Sequence, residues 1–154
     1  MGTGKTGRYL NTAGSRTHAS EYAVVHSNEG TFVRSGKRHD KLRLDGGCHG
    51  QAGMDLLDKY HIDYNVVRTY PNGVRIGNVP GHTKKWKRSG TGQSWFPPSW
   101  GDRTIKSAGE SVAKLKRNRG AGDGIVIRGR YRGVTVCVIM TNGQMGTIFP
   151  DRNQ

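Results

Sequence analysis

The chain has 154 residues, with 25 Lys and Arg against 11 Asp and Glu and a formal net charge of +14. That length suits one domain, and with 32% hydrophobic residues and 24 glycines its core must be thin and its turns many, although clustered aliphatic and aromatic residues exclude a disordered chain. No stretch approaches the roughly 20 apolar residues of a membrane span, and the first residues lack the apolar segment of a signal peptide, so neither a membrane partner nor an export signal is expected of this segment. A strongly positive surface favours a polyanionic partner, because phosphates neutralised by Lys or Arg release condensed counterions; nucleic acid is the first candidate. Two cysteines, Cys48 and Cys137, are too few for a disulfide framework, and the six histidines lack zinc-motif spacing, so no metal or cofactor is expected.

Residues 1–20 are small, polar and Gly-rich, and read as a flexible lead or linker cut from a longer polypeptide; residues 21–154 read as a single domain. Residues 2–7 formally satisfy GxGxxG, but no strand precedes them, so no nucleotide-binding loop is assigned. Residues 21–25 and 31–35 predict a β-hairpin around HSNEG, and residues 54–61 a short amphipathic helix. Two strands are expected around Pro71-Asn72-Gly73, followed by a basic aromatic loop over residues 82–100 that its paired prolines keep irregular. In that loop Lys84, Lys85, Lys87 and Arg88 alternate with Trp86, Trp95, Phe96 and Trp100, a composition suited to single-stranded RNA. The competing reading, rings anchoring the loop onto a sheet, is preferred for Phe96 and Trp100 and stays open for Trp86. A helix with Ile105, Ala108, Val112 and Leu115 on one face is expected to begin near residues 99–102 and stop before Gly120. Three strands then close the chain as an antiparallel meander, with Asn142-Gly143 as the last turn. The expected class is α+β: N-terminal strands and a short helix, one longer helix, and the C-terminal meander.

The segment HDKLRLDGGCHG carries His39 and His49 ten residues apart, the second on a glycine pair. Two imidazoles facing one another suit ribonuclease chemistry: a neutral ring takes the proton of a ribose 2′-OH while a protonated ring donates to the departing 5′-oxygen, with no metal or cofactor.

Together with motifs further along the chain, this segment resembles the bacterial branch of the EndoU endoribonucleases, found mainly as C-terminal toxin domains of polymorphic, contact-dependent secreted proteins. The resemblance is carried by His39, Gly46-Gly47-Cys48-His49, the stretch Gln93 to Trp100, Ile105, and Gly143 to Pro150, and spans residues 39–150. It implies His39 as general acid and His49 as general base, with Thr147 and Phe149 lining the site and holding nucleobase and ribose, and Ser94 among the substrate contacts. Gln93 stands where the family usually has a lysine that supports phosphorane charge; Lys85, Lys87 and Arg128 are the basic residues able to take that role, and Trp86 is a candidate base contact. His82 is the alternative partner for His49. The resemblance further implies an RNA-cleaving toxin, with transfer RNA one candidate target. It would leave 2′,3′-cyclic phosphate and 5′-OH ends, act as a delivered effector in the target-cell cytoplasm, and be neutralised by an acidic immunity protein. The alternatives are a non-catalytic basic RNA-binding module and a toxin of another chemistry on a related fold.

Overall fold

A computed structural model describes residues 13–35 and 41–154, so His39 and the glycine motif at residues 2–7 lie outside the described residues. In chain order the elements are α1 (Glu21–Asn28), β1 (Thr31–Ser35), β2 (Lys41–Gly46), α2 (Gln51–Lys59), β3 (Asn65–Thr69), β4 (Arg75–Asn78), β5 (Gln93–Trp95), α3 (Asp102–Lys114), β6 (Val126–Tyr131), β7 (Val134–Thr141) and β8 (Gln144–Pro150), with short 3₁₀ turns at Lys85–Lys87 and Lys116–Asn118. The strands form three antiparallel sheets: β1-β2, β3-β4-β5 and β6-β7-β8. The chain is therefore α+β and ends in the expected meander.

Residues 21–25 are helical, not a strand. Ser20 caps the helix by accepting a hydrogen bond from the Ala23 N–H at 3.0 Å, and Glu21 sits favourably in the first turn. Ala23, Val24 and Val25 are consecutive and all buried, so the segment shows strand-like β-branched residues and no helical period, and tertiary burial overrides that local preference. The preceding residues, within the stretch read as a lead, also pack: Ala19 is fully buried, its N–H donates to Glu110, and the Arg16 guanidinium reaches the backbone carbonyls of Asn118, Arg119 and Ala121.

The loop at residues 82–100 is more regular than its prolines imply, because β5 forms before them and pairs with β4, setting Ser94 opposite Ile76. Trp95, Phe96 and Trp100 are buried anchors, whereas Trp86 is 65% exposed. At the last hairpin Asn142 and Gly143 both take positive φ (52° and 75°), as the Asn-Gly pair predicts.

The larger core joins α1, α3 and one face of the meander, with Val24, Ile105, Ala108, Val112, Ile127, Val136, Val138 and Ile148 buried together. Gly109 lets α3 approach β8: a Cβ there would stand 2.5 Å from Ile148 Cδ1. A smaller cluster gathers Leu44, Cys48, Met54, Leu57, Val79 and Trp95. Since side chains alternate across a strand, the other face of the meander is left to a pocket: Arg128, Cys137 and Phe149 lie in register across it, beside Val126, Ile139 and Thr147.

Candidate active site

A pocket of about 830 Å³, at the upper end of ligand-sized cavities, opens between that face, the C-terminal end of α1 and the Lys85–Lys87 turn. Its walls hold Lys84, Lys87, Arg128 and Arg152 against Asp45 and Asp151, together with two histidines, His26 and His49. The helix end brings those histidines together. The last carbonyls of a helix have no partner inside it, and here those of His26, Ser27 and Asn28 accept from the backbone N–H groups of Cys48, His49 and Gly50 at 3.2, 2.6 and 3.0 Å. Gly47, at φ 65°, makes this contact possible, because a Cβ on it would lie 2.0 Å from the His26 carbonyl oxygen. Ser27 ties in the meander as well, accepting from the Ile148 N–H through its hydroxyl at 2.9 Å.

His49 is held on every side but one. Its carbonyl accepts from the Phe96 N–H at 2.6 Å, its ring lies 5.4 Å from the Phe149 ring, and its Nδ1 sits 2.7 Å from the Ser94 carbonyl. A carbonyl can only accept, so Nδ1 carries the proton and the neutral ring leaves Nε2, which has no partner among the described residues, as an acceptor facing the pocket. Burial, then the nearby Lys87 charge, hold the His49 pKa well below 6.5, so the ring is neutral at neutral pH. His26 is oriented by Thr31, whose hydroxyl is 2.7 Å from Nδ1, and its ring lies 6.3 Å from that of Tyr22 and nearly parallel to it. Its pKa is also lowered, by burial and by Lys87 and Lys84, but Asp45 opposes the shift. Of the pair, His26 is therefore the ring that more readily takes up a proton.

Lys87 is 8% exposed, with its ammonium 3.2 Å from Gln93 Oε1, and burial pushes its pKa down to about 8. Gln93 is fully buried behind the pocket. Its amide donates to the carbonyls of Gly47 and Cys48 at 3.1 and 3.0 Å, so it supports the His49 loop and steadies Lys87. Of the residues singled out from sequence, His49, Lys87, Trp86, Arg128, Ser94, Thr147 and Phe149 line the pocket; Lys85 and Gln93 do not. The Ser94 hydroxyl is occupied by the Pro150 carbonyl at 2.8 Å. His26, which falls in the turn expected at HSNEG, is the histidine that lines the pocket together with His49; its position depends on backbone hydrogen bonds across more than twenty residues, and no local pattern marks it.

His82 lines no part of this pocket. It is fully buried, with Nδ1 accepting from the Lys84 N–H at 2.9 Å. Burial and the Lys87 and Lys84 charges push its pKa down to about 4. A buried histidine that stays neutral when folded protonates first in the unfolded chain, so its stabilising effect is complete above pH 6.5 and is lost as pH falls towards 4. At pH 5, 1.5 units below the unfolded value and 1.36 kcal/mol per unit, His82 alone lowers unfolding free energy by about 2 kcal/mol relative to pH 7. Denaturant titrations at the two pH values check this, and His82→Asn is expected to flatten the difference.

Among the described residues no group of three or more His, Cys, Asp or Glu side chains is placed to hold a metal ion. Cys48 and Cys137 are free, buried thiols, and burial pushes both pKa values up to about 12, which leaves them unreactive.

This α+β domain thus sets two histidines and a buried lysine in one cationic pocket, a lining suited to a phosphate-bearing substrate. Residues 20–152 match the family described as bacterial EndoU nuclease, and the chain belongs to that family; it is an endoribonuclease whose substrate is RNA. The match covers more of the chain than the sequence motifs did, and it takes in His26. No curated protein and no solved structure matches the chain.

Proposed function

We propose that the enzyme cuts RNA by internal transesterification, with His49 as general base and His26, in place of His39, as general acid. His49 Nε2 takes the proton of the 2′-OH, the 2′-oxygen attacks the adjacent phosphorus, and the bond to the 5′-oxygen breaks as that oxygen takes the proton from His26. The products are a 2′,3′-cyclic phosphate and a 5′-OH, and no metal enters the reaction. Lys87 neutralises the charge that grows on the phosphorane, a charge-assisted contact from a largely buried ammonium. The bound phosphodiester raises both histidine pKa values, which supplies the protonated acid that the free pocket disfavours. The Phe149 face and the Thr147 hydroxyl hold the nucleotide beside the scissile bond, and the exposed rings of Trp86 and Tyr22 at the mouth offer stacking surfaces for unpaired bases.

The observation that carries this reading is the His49 Nδ1 bond to the Ser94 carbonyl, which leaves Nε2 as the acceptor in a pocket that a second, separately anchored histidine also lines. Incubation with total RNA and a chelator tests it. Discrete fragments ending in cyclic phosphate are expected; intact RNA, or ends carrying 3′-OH and 5′-phosphate, would overturn it. We further propose, from family membership and the +14 charge, that the domain is a toxin delivered into the cytoplasm of a target cell. Transfer RNA is a candidate target there, and the producing cell is protected by an acidic immunity protein that covers the basic pocket.

A further inference from the structure

We propose that a row of arginines leading out of the pocket along β6 is an extended subsite for the phosphates of the RNA strand beyond the cleavage site; it rests on the ribonuclease reading. Arg128 starts the row on the pocket wall, its Nε held by Asp151 Oδ2 at 2.9 Å, which fixes the guanidinium at the pocket's edge. Arg130, two residues on, projects from the same face of the strand roughly 6–7 Å away, and is exposed; its guanidinium touches only the Gly133 carbonyl, at 3.4 Å, among the described residues. Arg132 comes next, in the β6–β7 turn, with its guanidinium 5.4 Å from the centre of the Tyr131 ring. Arg117 adds a fourth charge at the outer edge of β6, where its Nη2 donates to the Arg128 carbonyl at 3.3 Å.

Among the described residues only Arg128 of these four is paired with an acid. The others hold like charge along one edge strand, an arrangement that costs the free protein some self-repulsion and is relieved by a polyanion. The row also continues from the wall that carries Phe149, since Arg128, Cys137 and Phe149 share one rung of the sheet, so a strand with one base against Phe149 has its next phosphates over β6. The chemistry recognised is a flexible chain of phosphodiesters, met by forked cations without base contacts.

The test compares wild type, the double variant Arg130→Ala with Arg132→Ala, and the same pair changed to Lys. Binding is measured on a 2′-O-methyl oligoribonucleotide of about 12 nucleotides, which has no free 2′-OH and is not cut. The alanine pair is expected to bind it roughly tenfold more weakly at low salt, with the slope of log affinity against log salt reduced by ~1.4, about 0.7 for each lost phosphate contact; the lysine pair keeps the slope. Cleavage of a dinucleotide substrate, too short to reach the row, should be unchanged. Equal affinity and slope in the alanine pair would overturn the proposal, as would an equal loss on the dinucleotide, which would place these arginines inside the site. If wild type binds the oligonucleotide through the row but cuts no RNA, the proposed chemistry fails and the subsite stands.

Discussion

His49→Asn is expected to lower RNA cleavage by at least about 10²-fold while leaving the protein folded. Asparagine can keep the donor that His49 Nδ1 supplies to the Ser94 carbonyl, so the loop that carries it stays pinned by that bond and by the backbone bonds to Ser27 and Phe96. What asparagine lacks is a second nitrogen at the Nε2 position able to take a proton, so the loss falls on turnover and the melting temperature moves little. His26→Asn should cost a similar factor, because it removes the proposed proton donor and keeps a polar partner for the Thr31 hydroxyl. His82→Asn is the control: its side chain is buried away from the pocket, so it should change stability and its pH dependence but not the rate for bound RNA. His39→Asn completes the set, since the resemblance in sequence assigns that residue the acid role. Full activity in His26→Asn together with a large loss in His39→Asn would overturn the assignment of the acid.

This set of histidines also shows what the sequence could reveal. His49 was legible because a glycine pair before a histidine signals a turn that needs close approach, and the approach is there: Gly47 lies against the His26 carbonyl. Thr147 and Phe149 rested on the family resemblance, and β8 sets them on one face because residues two apart on a strand share it; the meander with its Asn-Gly turn was plain. His26 was hidden by its own neighbours. Ala-Val-Val has the composition of a strand, and only the Ser20 cap and burial on several sides make it a helix whose end meets residues 48–50. Choosing among Lys85, Lys87 and Arg128 needed the 3₁₀ turn at Lys85–Lys87, which leaves Lys85 in solvent and buries Lys87 against Gln93. Gln93, which stands where the family usually has a lysine, keeps a carbonyl oxygen on Lys87, the lysine proposed to supply that charge.

Lys87→Met is expected to reduce the maximal rate by about 10²–10³-fold, the usual cost of removing one preorganised charge or donor from a developing oxyanion. A buried lysine can also matter for packing, so the pH profile is the discriminating measurement. On the proposed mechanism, wild-type kcat/KM needs His49 neutral and His26 protonated. Burial, then Lys87, hold the His49 pKa well below 6.5, which puts the acid limb far to the acid side. The same two causes lower the His26 pKa, so its protonated fraction, and with it the alkaline limb, falls away below pH 6.5 rather than above it. Above pH 8 Lys87 loses its own charge, and the rate declines further. Removing that charge relieves the repulsion on both imidazoles: the His26 pKa rises, and the alkaline limb of the slow Lys87→Met enzyme moves to higher pH. A variant that had merely lost packing would show a lower rate with both limbs in place. Lys87→Arg keeps the charge and should restore the limb, though not the full rate, because a planar fork does not reproduce the ammonium contact with Gln93 Oε1. A profile in Lys87→Met that does not move would separate Lys87 from the histidines and take it out of the reaction.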